Sequence, residues 1–412
     1  MDEQLDKIVA SLQRGLTTTW LRAQEVVSAV PGVPGVEIDA VMSRFARFEP
    51  LLARLFPEAG WDGRVCSPLL RYPARVGELE SVWVKADHLL PMTGSVKARG
   101  GVYELLCALE DFAAEDNLLP EGADLSLLLE PGARAALARR RVVVASTGNL
   151  GFSIGLVARA FGVNADVHMS ADAKQWKKER LRALGATVIE HAGDYEQAVA
   201  VARAECAASG AYFIDDERSR RLFAGYSAAG RELAAQLVEA GVSISKNQPL
   251  VVYLPCGVGG APGGIMAGLL REFGDALIVV FVEPVASACM LLALASGRRQ
   301  SVYQFGLDNH TIADGLAVPT ASQLALDLIG ARIDAVVAVP DDAMLDALRK
   351  VWGEAQLRLE PSAAAAFVAL EPFIAARAAR GDRLEKAVHV VWTTGGSLLP
   401  DSEFLPLINP DR

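Results

Sequence analysis

Lys97 lies in the run Ser95-Val96-Lys97-Ala98-Arg99-Gly100-Gly101, which reads as the opening of a helix with Ser95 as its N-cap. An ammonium in a first helical turn meets the positive end of the helix dipole, which lowers its basicity. A lysine that is neutral near pH 7 is a nucleophile and forms a Schiff base with a carbonyl. Three other stretches could serve such a lysine. Ser146-Thr147-Gly148-Asn149-Leu150-Gly151 falls at a strand-to-helix turn, where small residues expose backbone N–H groups to an anion. Pro255-Cys256-Gly257-Val258-Gly259-Gly260-Ala261-Pro262-Gly263-Gly264 stands between an apolar strand and a helix, the order in which a glycine loop cradles phosphate. It contains no Gly-Lys-Ser/Thr and no good G-x-G-x-x-G, so it is neither a Walker loop nor a dinucleotide fingerprint. Trp392-Thr393-Thr394-Gly395-Gly396-Ser397 follows the last strand. Each stretch alone has an ordinary reading: a solvated lysine, a capped turn, a glycine turn that binds nothing.

The elements that must position them are legible from periodicity. Residues 1 to about 60 read as helices, with Leu5, Ile8, Val9 and Leu12 at helical spacing and Val41, Phe45, Leu51, Leu52 and Leu55 after a break at Pro31-Gly32. Strands are expected at 81–85, 142–146, 165–169, 186–190 and 211–215, then at 250–255, 277–284, 335–340 and 387–393. Helices are expected between them, from Ala173 to Leu184 and from Asp194 to about Ser209 among others. Short apolar strands alternating with helices imply parallel sheets covered on both faces. The chain is therefore expected to be α/β, and its 412 residues suggest two domains.

Composition narrows the partners. A net charge of -10 without a long basic run argues against nucleic acid. Five cysteines without metal-ligand spacing fit a reducing cytoplasm. None of the five histidines stands in a metal pattern. No signal-peptide core and no apolar run of membrane-spanning length is evident, so a soluble, cytoplasmic protein with no membrane partner is expected.

The run Ser95–Gly101, preceded by Lys85-Ala86-Asp87, resembles the cofactor-lysine motif of pyridoxal-phosphate (PLP) enzymes of the tryptophan-synthase-β type, known as fold type II. In its longer form it is similar to the D-serine dehydratase family. The resemblance spans residues 66–405, with its four main motifs in order. It implies two parallel-sheet domains: a large one of residues 1–101 and 233–412, with N-terminal helices over 1–60, and a small one of residues 102–232 inserted in it. The site would lie in the cleft between them, facing the carboxyl ends of both sheets.

Residue by residue, the resemblance implies that Lys97 binds PLP covalently and acts as the base. Ser146, Thr147 and Gly148 would grip the substrate carboxylate, and Asn149 the phenolic oxygen of PLP. Thr147 falls where some relatives carry a serine acting on the opposite cofactor face. Gly257, Val258, Gly259, Gly260 and Ala261 would hold the phosphate, and Thr394 the ring nitrogen. Asp215, in Phe213-Ile214-Asp215-Asp216-Glu217, would act near the substrate hydroxyl, although paired acids there are more often a helix cap. Asp314 and Gly315 would wall the substrate pocket. Leu359-Glu360-Pro361-Ser362-Ala363 looks like the family's helix-start motif. Glu283 and Cys289 would hold a monovalent cation, K+ or Na+, although a strand-terminal glutamate is as often a cap partner. The chain departs from the family pattern at His88-Leu89-Leu90-Pro91, Ala261, Thr393 and Ser397.

The implied activity is β-elimination of water from D-serine, giving pyruvate and ammonia, in a monomer or homodimer. The alternatives are a PLP lyase acting on D-threonine or on L-serine or L-threonine, and, more distantly, a non-catalytic α/β ligand-binding protein.

Overall fold

In a computed structural model, the described residues are 3–23, 35–57, 60–120, 122–146, 148–171, 173–192, 195–382 and 384–409. The expected break at Pro31-Gly32, the helix start at Asp194 and the candidate Thr147 lie outside them.

Eleven strands are described: β1 Thr18–Leu21, β2 Leu69–Arg71, β3 Val82–Lys85, β4 Arg141–Ala145, β5 Asn164–Ser170, β6 Thr187–His191, β7 Tyr212–Ile214, β8 Leu250–Pro255, β9 Leu277–Pro284, β10 Ala335–Val339 and β11 Val388–Trp392. They form two sheets. The larger has the order β1-β10-β9-β8-β11-β3-β2, and the smaller β6-β5-β4-β7. The smaller sheet is parallel throughout. In the larger, the five inner strands are parallel, while β1 and β2 run antiparallel at its two edges. The fold is α/β as expected, with two corrections: the large sheet is mixed, and β1 lies in a region read as wholly helical.

Parallel strands need helical crossovers, and those helices cover both faces. Every residue of β8 and β10 is buried. Side-chain alternation sends Leu250, Val252 and Leu254 to one core, and Val251 and Tyr253 to another on the opposite face. The stretch Pro361–Ala379 is long and apolar enough to cross a membrane, contrary to the expectation that none would be. Half of it is buried, and Leu370 and Phe373 are fully enclosed in the second core. This is the signature of a core helix pair.

Register brings the loops together. Lys85 at the end of β3 pairs with Trp392 at the end of β11, and Val391 pairs with Tyr253 near the end of β8. In the small sheet, Val144 of β4 pairs with Ile214 of β7. The loops that begin near residues 86, 146, 215, 256 and 393 therefore leave aligned carboxyl edges, where ligands collect in open α/β sheets. The expected domain boundary at residue 102 falls inside the helix Lys97–Glu115.

Candidate active site

The helix Lys97–Glu115 is buried along most of its length, and its first two turns explain the motif that opens it. The Ser95 hydroxyl accepts from the Lys97 N–H at 3.1 Å, so it serves as a cap although Val96 occupies the formal N-cap position. Arg99 is 1% exposed and forks onto Asp87, Nε to Oδ2 and Nη2 to Oδ1, both at 2.7 Å. Its Nη1 donates to Glu232 at 2.6 Å. Lys85, also buried, pairs with Glu232 and donates to the Ser67 carbonyl at 2.6 Å. The indole of Trp392 donates to Asp87 at 2.8 Å. Gly100 lies so close to the Tyr226 ring that a Cβ would sit 2.3 Å from it, and one on Gly101 would meet Leu150 at 2.8 Å. Lysine, arginine and the two glycines thus divide three duties: one reaches the cleft, one anchors the helix, and two admit neighbours.

The cleft encloses about 880 Å³ open to solvent, and both sheets contribute to its walls. Lys97 Nζ enters it and lies 2.8 Å from Asp216 Oδ2; the other carboxylate oxygen, Oδ1, is buried without a partner among the described residues. Asp215 does not line the cleft. Its carboxylate pairs with Arg203 at 2.8 Å and accepts from the Glu217 N–H at 3.0 Å, so it shapes the turn while its neighbour faces the lysine. Paired acids at a strand end leave this choice to backbone geometry, which sequence alone does not report.

On the small-sheet wall, the Ser146 hydroxyl accepts from the N–H groups of Gly148 (3.1 Å) and Gly151 (3.0 Å), bending the chain into the helix Asn149–Phe161. Among the described residues, the N–H groups of Asn149 and Leu150 donate to nothing. Asn149 Nδ2 donates to Glu360 Oε1 at 3.0 Å. Burial pushes the Glu360 carboxyl up, with Asp314 adding to the effect. Lys177, which sequence reasoning missed, pairs with Asp314 at 2.5 Å. Gly315 lies beside Ser362, whose buried hydroxyl has no partner among the described residues. Thr394 lines the cleft, and its carbonyl accepts from the Val96 N–H at 2.8 Å, tying the last loop to the lysine loop. The departures at His88 and Thr393 meet one another: His88 Nδ1 lies 2.7 Å from Thr393 Oγ1.

On the opposite wall, the loop after β8 turns into the helix Gly260–Phe273 through Gly259 at φ +103°. Among the described residues, no group accepts from the N–H groups of Gly257, Val258, Gly259, Gly260 or Ala261. Glu283 stands elsewhere. Its two oxygens accept from the N–H groups of Met290 (2.8 Å) and Leu291 (2.9 Å), capping the helix Cys289–Ser296. Burial pushes its carboxyl up to about 8. The cap role is thus the one the geometry displays, and among the described residues no cluster of three or more His, Cys, Asp or Glu could hold a metal.

A lysine in a cleft between two α/β sheets, opposite an unengaged glycine cradle, accords with the family comparison. Residues 61–395 match the family model described as "Pyridoxal-phosphate dependent enzyme", and the chain belongs to that family. It is 45% identical to the probable D-serine dehydratase of Chromobacterium violaceum, over 92% of this chain and 90% of that one. It is likewise 45% identical to that of Cupriavidus pinatubonensis, over 96% and 93%. Among solved structures, diaminopropionate ammonia lyase from Escherichia coli in complex with D-serine superposes with a TM-score of 0.73 at 18% identity, covering 95% of this chain and 96% of that one. The T.th. threonine deaminase gives 0.67 at 25% identity, over 89% and 99%.

The residues fit the cofactor. Five unengaged N–H groups at a helix start supply the donors that a phosphate dianion requires. A Cβ on Gly259 would come 2.6 Å from Met290 Cε, so the left-handed glycine also lets the turn pack against its neighbour. Ala261 is the first helical turn's second residue, where no positive φ is required, so this departure from the family pattern leaves the cradle intact.

Proposed function

We propose that the chain deaminates D-serine by β-elimination, giving pyruvate and ammonia with no net loss of water, in the cleft between a large unit (1–101 and 233–412) and a small one (102–232). The observation that carries this reading is the Lys97–Asp216 pair at 2.8 Å, set between two groups of unengaged backbone N–H donors. PLP, when bound, supplies the electron sink that accepts the pair left at Cα once its proton is gone. Lys97 is the residue that would hold it covalently. The glycine loop would hold its phosphate, and Thr394 would meet its ring nitrogen with a hydroxyl, which favours a shallow sink suited to elimination.

The chain's own groups then account for the proton movements. The N–H groups of Asn149 and Leu150 would receive the substrate carboxylate and fix the Cα–H bond toward Lys97. Lys97, once the substrate's amine has taken its place and left it a free amine, would take the α-proton. That proton passes along the contact to Asp216 and leaves with the β-hydroxyl as water, so acid and base are regenerated together. The remaining enamine tautomerises and hydrolyses to pyruvate and ammonia, returning the water. Close homology to proteins named probable D-serine dehydratase supports the substrate and its hand. The chain is expected to work in the cytoplasm, as a monomer or homodimer.

The test is release of 2-oxoacid from D-serine, L-serine, D-threonine and L-threonine in parallel. D-serine is expected to be fastest. A faster L-isomer overturns the assigned hand, a faster threonine overturns the assigned side chain, and silence with all four overturns elimination.

A further inference from the structure

The helix Gln175–Ala183 belongs to the small-sheet side, yet cations on and just before it reach across to loops of the other side. Lys174 meets Glu403 at 2.9 Å, Lys177 meets Asp314 at 2.5 Å, and Arg180 donates to the Leu398 carbonyl at 3.2 Å. Of these three, Lys177 alone lines the cleft. Its side chain is 10% exposed, whereas that of Asp314 is 37% exposed. The pair is therefore lopsided: the cation is enclosed and its anion stands nearer to water.

The position of Lys177 Nζ gives this asymmetry a use. A Cβ built on Gly148 would lie 3.0 Å from it, so the ammonium stands against the turn that presents the unengaged N–H groups of Asn149 and Leu150. Ser362, 2% exposed and with a hydroxyl that has no partner among the described residues, lines the same cleft. Two N–H groups, a hydroxyl and an ammonium are thus gathered in a cleft where, among the described residues, Lys177 pairs with Asp314 and interacts with the buried Glu360. A carboxylate placed on the N–H groups would come within hydrogen-bond reach of Nζ and would compete with Asp314 for it.

We propose that Lys177 is a specificity-determining residue that anchors the α-carboxylate of the amino-acid substrate, while Asp314 holds the ammonium until that carboxylate arrives. The proposal rests on the reading of the cleft as an amino-acid site. It needs neither the D-hand nor the elimination step.

Two measurements on the holoenzyme test it. The first is calorimetric binding of alanine of either hand, which has no β-hydroxyl to lose, against alaninamide, which has no carboxylate. Lys177→Met should weaken alanine about tenfold or more and leave alaninamide within about twofold, and Lys177→Arg should restore most of the difference. The second is KM for D-serine in Asp314→Asn, which frees the ammonium and should lower KM, the opposite of Lys177→Met. Equal weakening of alanine and alaninamide, or equal losses in Lys177→Met and Asp314→Asn, assigns the pair to holding the two sides together and overturns the proposal. If wild type binds alanine through Lys177 but releases no 2-oxoacid from serine, the anchor stands and the proposed reaction falls.

Discussion

Lys97 and Arg99 are two residues apart on one helix, yet they belong to regions built on opposite rules. Around Arg99, two cations (Lys85, Arg99) face two anions (Asp87, Glu232); all but the 12%-exposed Glu232 are buried, and Ser67 and the Trp392 indole take up further hydrogen bonds. Charges removed from water must be paired and fully hydrogen-bonded, or the desolvation penalty is uncompensated. Around Lys97 the pairing is deliberately thin. Among the described residues, Asp216 keeps one oxygen without a partner, Ser362 keeps its hydroxyl, and two turns hold out N–H groups that nothing accepts. A saturated network holds the helix still, and an unsaturated one a few ångströms away leaves donors for a guest. The comparison teaches how to read buried charge: full satisfaction marks a support, and concerted lack of it marks a site.

The comparison can be broken most severely at Lys97. Lys97→Ala should fold, because alanine is the best helix former and the residue adds little to the core. Turnover should fall by at least about a thousandfold. Borohydride reduction of the wild type followed by peptide mapping should place the cofactor label on Lys97. A label on Lys85, or near-normal pyruvate release by the variant, would sink the assignment.

Arg99→Met should do the reverse. It touches no ligand, but it leaves Asp87 and Glu232 with Lys85 as their remaining cation, at a cost of about 3–5 kcal/mol for a broken buried pair. Chemical denaturation should show this as a lower midpoint. A stable variant with impaired turnover alone would mean that the two regions are not separate in kind.

Asp216→Asn sharpens the boundary from inside the cleft. An amide keeps a hydrogen bond to Lys97 but relays no proton, so turnover should drop about a hundredfold with thermal stability nearly unchanged. Asp215→Asn, which loosens the Arg203 pair instead, should cost stability more than rate, and the opposite ranking of the two variants would return the acid role to Asp215.

The smallest effect is on pH dependence. Burial pushes the Glu232 carboxyl up, but Arg99 and Lys85 outweigh it and bring it down to about 2. A depressed carboxyl stabilises the fold above its unfolded value of about 4.3, and that stability is lost as pH falls toward 2. Burial likewise lowers His88 and His389 to about 4. Neutral in the fold and protonated when unfolded, they contribute stability that is lost as pH falls from about 6.5 to 4. The histidine contribution is therefore lost in an upper stage, against the opposite slope of the buried Glu104 and Glu283 carboxyls, raised to about 7 and about 8, and the Glu232 contribution in a lower one. His389→Gln should flatten the upper stage, by on the order of 1 kcal/mol, and spare the lower one. An unchanged upper stage would exclude that histidine.

By itself the sequence determined the parts whose signals are local. The inner strands announced themselves as apolar runs, and β9 has the bounds expected of it. The glycine-rich turns marked loops whose N–H groups, among the described residues, stay unengaged, and Lys97 stood out by its place at a helix start. Tertiary structure decided everything that depends on which distant segments meet. The edge strand β1 exists because Thr18–Leu21 finds β10 more than 300 residues away, and four residues carry no period strong enough to declare it. Glu232 gave no sign of its buried partners, Asp216 rather than Asp215 reached the lysine, and Lys177 looked like one cation among several on a polar helix. Periodicity records which face of an element is apolar, whereas the pairing of charges across a cleft is fixed only when two chains of contacts, folded from separate parts of the sequence, close on each other.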